Sequence, residues 1–234
     1  MQEKTAAIVL SAGSGKRMGG PVSKQYMLLR GKPVIYYALK AFQDSFVDEI
    51  ILVVGKGDVD RVRKEIVEQY GFTKVSAIVE GGAQRYHSVH LGLKAVKDAD
   101  YVFIQDGARP FPDGAMLGRC LEAVRECGAC VVGVPVKDTI KVSDAEGNIA
   151  DTPPRERLWQ VQTPQVFDAK LVCRAYDLLA EKEEELLAKG ITITDDAMVV
   201  EQLTKHTVRL VMGDYKNIKI TTPEDLILAD AFLL

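Results

Sequence analysis

Five polar clusters interrupt otherwise apolar runs, and the first is built to handle phosphate. Ser11 to Gln25 carries four glycines together with Lys16, Arg17 and Lys24. Glycine lets backbone N–H groups approach a ligand closely, and the three cations add the charge a polyphosphate needs. Two familiar phosphate loops are excluded. A Walker loop would need glycine at Leu10 and a hydroxyl residue at Arg17, and a dinucleotide fingerprint on Gly13 and Gly15 fails at Met18. A second cluster runs from Glu80 through Gly81, Gly82 and Arg85 to Ser88. The third is Gln105-Asp106-Gly107-Ala108-Arg109-Pro110. A carboxylate facing a phosphate cradle suits Mg²⁺, which prefers hard oxygen ligands, so Asp106 is the candidate metal ligand; a plain ion pair with Arg109 is the alternative. Pro135 to Thr139 and Lys219-Ile220-Thr221 complete the set.

Other chemistries fit less well. His87, Ser88 and Asp106 have the residue types of a hydrolytic triad, but no Gly-x-Ser-x-Gly elbow is present. His87 and His90 stand at helical i, i+3 spacing without a further ligand nearby. Cys127 and Cys130 lack the second pair that zinc would want, so the four cysteines read as thiols packed in apolar segments of a protein from a reducing compartment.

The elements that must position these clusters alternate along the chain. Ala6 to Leu10, Ile50 to Val54, Val75 to Val79, Tyr101 to Ile104 and Ala129 to Val134 are short apolar runs, as strands covered on both faces should be. Between them, Ile35, Ala38, Leu39 and Phe42 recur at helical spacing, as do Val59, Val62, Ile66 and Tyr70. Strand–helix alternation of this kind predicts an α/β fold with a doubly wound, mainly parallel sheet, and places the polar clusters at the carboxyl ends of the strands. Residues 137–163 break the rhythm and predict a β-arm that projects from the sheet and grips a second subunit, with Trp159 as its anchor. Helices are expected from about Asp168 to Lys189, near Asp195 and from Pro223, and strands at Val208 to Met212 and Ile218 to Ile220.

The length of 234 residues fits one domain, 1–234, with the arm as an appendage. Hydrophobic residues make up 47% of the chain and charged ones 27%, with a formal net charge of −3. That balance supports a buried core and gives no global positive field for nucleic acid or a membrane surface. No apolar run is long enough to span a bilayer, and the start lacks the order of a signal peptide, so the expected location is cytoplasmic.

The loop Leu10-Ser11-Ala12-Gly13-Ser14-Gly15-Lys16-Arg17-Met18 resembles the signature of nucleotidyltransferases with a Rossmann-like sheet. Ser23-Lys24-Gln25-Tyr26, Gly81-Gly82, Arg85, Ser88-Val89, Asp106 to Pro110, Pro135 to Lys141, Thr163-Pro164-Gln165, Thr194-Asp195-Asp196 and Asn217 to Leu226 follow in order over essentially the whole chain. Together they are similar to the family that couples CTP to 2-C-methyl-D-erythritol 4-phosphate in non-mevalonate isoprenoid synthesis. The resemblance implies CMP transfer with Mg²⁺ and release of pyrophosphate. It implies that Arg17, Lys24 and Lys219 stabilise the transition state, and that Ala12, Gly13, Gly15, Gly82 and Ser88 hold CTP. Asp106, Arg109, Thr139, Thr194 and Thr221 then fall near the acceptor or metal, with Arg155 delivered from the other subunit of a homodimer. Four departures stand out. Ala83 replaces an acidic residue that helps hold the ribose, a contact Gln84 could supply; Leu10-Ser11 replaces a Pro-Ala pair; Gln105 replaces histidine; and Gly107 replaces alanine, a change the backbone should tolerate.

A cytidylyltransferase acting on D-ribitol 5-phosphate shares these motifs and is the nearest competing reading. A nicotinamide-dependent oxidoreductase and a non-catalytic nucleotide-binding regulator are the alternatives from other classes. Met18 and the basic loop count against the oxidoreductase.

Overall fold

The computed structural model describes residues 3–13 and 23–234. Its centre is a seven-stranded sheet in the order β11-β7-β10-β6-β1-β4-β5. The strands are β1 (Thr5–Ser11), β4 (Glu49–Val54), β5 (Val75–Glu80), β6 (Tyr101–Asp106), β7 (Ala129–Pro135), β10 (Trp159–Asp168) and β11 (Arg209–Met212). All pair in parallel except β10, which runs antiparallel between β6 and β7. Two short pairs stand apart, β2 (Leu28–Leu29) with β3 (Lys32–Pro33) and β8 (Val142–Ser143) with β9 (Ile149–Asp151).

Period-two alternation of the strands divides the core between two faces. Ala7, Val9, Ile50, Leu52, Val54 and Phe103 point to one side, where they meet α1 (Val34–Gln43), α2 (Val59–Val62, continued by a π-helical stretch Arg63–Glu68) and α4 (Gly114–Cys127). Ile8, Ile51, Val53, Val102 and Ile104 point to the other, against α3 (Arg85–Ala95), α5 (Ala169–Ala188) and α6 (Asp196–Thr204). Each of the larger side chains among these, taken fully out of water, contributes about 1.5–3 kcal/mol. The doubly wound expectation therefore holds. The last helix, α7 (Pro223–Phe232), begins on a capping box of Thr222 with Asp225.

Three expectations need correction. Residues 159–163 do not belong to the arm, because Trp159 opens β10 and pairs with Pro135 inside the central sheet. The projecting part is the mostly exposed stretch 137–158 around the β8–β9 pair, with Trp159 at its root. Ile218 to Ile220 is not a strand. Ile220 is a plug, fully buried with Leu29, Val34 and Ala229, and its N–H donates to the Ala108 carbonyl. All four cysteines are free, as expected, although only Cys120 and Cys130 are buried; Cys127 and Cys173 are partly so.

Candidate active site

Chain order sets the place of the site. From β1 the chain moves outward through β4 to β5, then returns to β6 on the opposite side of β1. Ligands of such sheets bind outside the carboxyl ends at the reversal. Here that edge carries the ends of β1, β5 and β6, and the register sets Leu10 beside Asp106. Because β10 is antiparallel, its early residues reach the same edge, and the Thr163 hydroxyl accepts the Asp106 N–H at 3.1 Å.

Two cavities adjoin there. The first, about 430 Å³, is lined by Ala12, Gly13, Lys24, Gly82, Ala83 and Ser88 among others. Its size falls in the range of small-ligand pockets. The second, about 330 Å³, is lined by Arg109, Gln162, Thr163, Gln165, Thr194 and Asp195 among others. Arg85, Asp106 and Lys219 line both and so form the wall between them.

The first cavity is shaped by local hydrogen bonds. Gln25 is buried and its amide donates to the carbonyls of Ser11 (2.6 Å) and Gly13 (2.8 Å), while the Ser11 hydroxyl donates to the Tyr26 hydroxyl. These bonds tie the entry of the basic loop to its exit. Gly15 and Arg17, like Lys16, lie outside the described residues. The second glycine pair is also sterically fixed. A Cβ on Gly81 would stand 2.4 Å from the Ala12 Cβ and 2.6 Å from the Ser88 hydroxyl. Ser88 accepts the Gly82 N–H at 3.1 Å, so its hydroxyl organises the turn that lines the cavity. Gln84 lines the cavity beside Ala83, and its backbone N–H donates to the His87 ring at 3.3 Å.

Asp106 is the electrostatic centre. Its Oδ1 accepts from Arg85 Nε at 3.1 Å and its Oδ2 faces Lys219 Nζ at 2.6 Å. Burial alone would raise its pKa, yet the Arg85 and Lys219 charges outweigh that and hold it well below the usual carboxylate range. Its ion-pair partners are thus Arg85 and Lys219, not Arg109, whose guanidinium donates to the carbonyls of Asn217 (2.7 Å) and Val161 (3.4 Å). Both Asp106 oxygens already face cations. A magnesium ion asks for only one or two carboxylates beside its waters and the substrate's phosphates, and Asp106 would have to give up Arg85 or Lys219 to serve as one.

Of the expected site residues, Ala12, Gly13, Lys24, Gly82, Ser88, Asp106 and Lys219 come together at the first cavity, and Arg109 and Thr194 join Asp106 and Lys219 at the second. Three do not join them. Thr139 is exposed on the arm, Arg155 donates to the Lys137 carbonyl there at 2.9 Å, and Thr221 bonds to Asp225 at 2.7 Å within the capping turn of α7. The structure adds Arg85, Gln25 and the β10 residues Gln162, Thr163 and Gln165. The signal for β10 was the run of Gln160, Gln162, Thr163 and Gln165 leading into a strand-like Val166-Phe167.

Gly107 is tighter than its sequence context implied. Its N–H donates to the Leu10 carbonyl at 2.8 Å, and an added Cβ would lie 2.7 Å from that same oxygen. A backbone atom cannot swing aside, so Gly107→Ala is expected to destabilise the fold by about 1–3 kcal/mol through overpacking. Urea denaturation checks this, and an unchanged midpoint would refute it.

Comparison with known proteins places these residues in context. The family profile described as 2-C-methyl-D-erythritol 4-phosphate cytidylyltransferase matches residues 5–234. A protein of that name from Lachnoclostridium phytofermentans is 52% identical, covering 99% of this chain and 97% of its own length. One from Lachnospira eligens is 50% identical, covering 97% and 98%. The crystal structure of 4-diphosphocytidyl-2C-methyl-D-erythritol synthase from Anaerococcus prevotii superposes with a TM-score of 0.83 at 34% identity, covering 99% of this chain and 96% of that one.

Proposed function

The chain belongs to the 2-C-methyl-D-erythritol 4-phosphate cytidylyltransferase family, and from that premise we propose how its own residues carry the reaction. The enzyme transfers CMP from CTP to 2-C-methyl-D-erythritol 4-phosphate, giving CDP-methylerythritol and pyrophosphate, a step of non-mevalonate isoprenoid synthesis. The observation that carries the residue-level reading is the shared wall: Lys219 faces both cavities, so it can touch the phosphate undergoing attack from either side.

CTP occupies the first cavity, its base and ribose against Ala12, Gly13, Gly82 and Ser88. The acceptor occupies the second, near Arg109 and Thr194. An oxygen of the acceptor phosphate attacks the α-phosphorus in line; a new P–O bond forms as the α–β bridge breaks, and the electron pair leaves with pyrophosphate. Such a reaction asks little covalent chemistry of the protein, so catalysis is positioning plus charge stabilisation. Lys219 meets charge growing on the α-phosphate. Lys24, with Arg17 and the backbone near Gly15, meets charge growing on the leaving group. A divalent cation travelling with the triphosphate needs no protein ligand, and no step here is routed through one.

The acceptor cavity lacks a cation from the arm, and Arg155 is the one we assign to it from a second copy. The arm supports a homodimer: a two-stranded pair is marginal in water by itself, and Ile140, Val142 and Ile149 are exposed on this one. Thr139 would arrive with Arg155, and Thr221 would act beside Lys219. Mixing Arg155→Ala with Lys24→Ala subunits is expected to restore activity that neither homodimer has, because one of the two composite sites is intact. Proven subunit exchange without recovery would remove Arg155 from the neighbour's site. One domain over the whole chain and a cytoplasmic location complete the proposal; the four free thiols support a reducing compartment.

The test is pyrophosphate release with CTP and Mg²⁺, comparing 2-C-methyl-D-erythritol 4-phosphate with D-ribitol 5-phosphate. Strong preference for the first is expected. Preference for the second overturns the acceptor assignment, and silence with both overturns the activity.

A further inference from the structure

We propose that Asp196 and Tyr176, which line neither cavity, are positioning residues that hold Lys219 in place through Arg85 and Asp106. The inference rests on the activity proposed above and adds the means by which one of its cations is aimed.

The contacts run in series from Tyr176 to Lys219, with Asp196 Oδ1 shared between the Tyr176 hydroxyl and Arg85. Tyr176 is fully buried and its hydroxyl donates to Asp196 Oδ1. Asp196 is also fully buried, and its two oxygens accept from Arg85 Nη1 and Nη2, each at 2.8 Å. The remaining guanidinium nitrogen, Nε, donates to Asp106 Oδ1, and Asp106 Oδ2 faces Lys219 Nζ. A guanidinium engaged at all three nitrogens is fixed in plane and direction, as a bidentate fork on a carboxylate should be. Asp196 itself is set by backbone. It opens α6, whose N-terminus is tied to β10 because Gln165 donates to Asp195 at 3.0 Å and accepts the Ala197 N–H at 2.8 Å.

Lys219 needs this support more than most lysines. It sits on the irregular segment 217–220, with no helix or strand to orient its stem. An ammonium on a flexible four-carbon chain is placed by its partner, and here that partner is Asp106. Asp106 can present Oδ2 to Lys219 only while Oδ1 is held by Arg85. Remove the charge of Asp196, and Arg85 is free to turn both of its forked nitrogens onto Asp106 and displace Lys219. Burial acts against the Arg85 charge, but the two carboxylates more than offset it and raise its pKa, so the guanidinium stays charged throughout.

The experiment is a double-mutant cycle of Asp196→Asn with Lys219→Ala, read as kcat and as KM for CTP, on protein shown to be folded by circular dichroism. In the wild-type background, Asp196→Asn is expected to lower kcat by roughly 10²-fold, the scale of an ångström's misplacement. KM for CTP should move far less, because the nucleotide-holding backbone is untouched. In the Lys219→Ala background the same substitution is expected to cost little more, since residues acting as one unit are non-additive. A merely structural Asp196 would lower thermal stability and leave kcat of the folded enzyme alone, or give additive losses; either result overturns the proposal. If Asp196→Asn does not fold, Tyr176→Phe is run in both backgrounds. A smaller, non-additive loss of kcat is expected, and wild-type kcat in that folded variant overturns the proposal. Failure of the wild-type chain to release pyrophosphate would defeat the activity itself, which separates the two readings.

Discussion

Replacing Lys219 with alanine is expected to lower the turnover number roughly 10²–10³-fold, the scale of losing one donor aimed at developing transition-state charge. The expectation follows from where Lys219 stands. It lines the nucleotide cavity and the acceptor cavity alike, and its ammonium faces a single carboxylate on the wall between them. On the proposed assignment, charge growing on the α-phosphate during attack would meet a cation already in place, with no reorganisation at the moment of reaction. Ground-state binding is another matter. Lys24 and the backbone around Ala12, Gly13 and Gly82 still line the nucleotide cavity in the variant, so CTP affinity by calorimetry should change by less than about tenfold, as expected for an interaction made mainly in the transition state. Lys219→Arg is not a faithful rescue, because a planar fork cannot copy a compact ammonium against Asp106. Turnover in Lys219→Ala within a few-fold of wild type would remove it from the chemistry.

Asp106→Asn is expected to cost about 1–3 kcal/mol of stability, because Arg85 keeps Asp196 while the partly exposed Lys219 loses its carboxylate. Asparagine keeps the shape but leaves Arg85 and Lys219 side by side without their shared counter-charge. The pH dependence has a definite sign. Asp106 titrates well below its unfolded value near 3.9, so it contributes stability above about pH 4 that is lost as acid protonates it. The difference in melting temperature between wild type and variant should therefore be full at neutral pH and shrink as the pH falls below about 4. A constant difference across that window would show that the charge of Asp106 is not what the fold uses. With its carboxylate occupied by two cations, the magnesium titration of activity should keep its midpoint in the variant even as turnover falls. A shifted midpoint would restore Asp106 as a metal ligand.

Much of this architecture was legible in the residues themselves. β1, β4, β6 and β7 are short apolar runs because both faces of each are covered, and the polar clusters after them mark the edge where a parallel sheet binds ligand. β10 was hidden by its own function. Gln162, Thr163 and Gln165 are polar because they face the second cavity and cap its neighbours, so the strand lacks an apolar signature, and its antiparallel direction breaks the strand–helix alternation. Ile218 to Ile220 misled in the opposite way, since apolar residues at alternate positions serve as well to plug a small core as to extend a sheet. Arg85 stood in a polar cluster and Asp196 in a separate motif, but their pairing spans 111 positions of sequence, a distance over which no local pattern reports. The role of Gly107 was equally invisible, because the carbonyl it approaches belongs to a different strand.

The wall of Arg85, Asp106 and Lys219 also bears on how the two substrates affect one another. On the proposed assignment, each would bring anionic oxygens toward the same pair of cations and compete with Asp106 for them. By linkage, the factor by which bound nucleotide changes acceptor affinity equals the factor by which bound acceptor changes nucleotide affinity. With both ligands drawing on one fixed stock of positive charge, that heterotropic coupling is antagonistic before reaction.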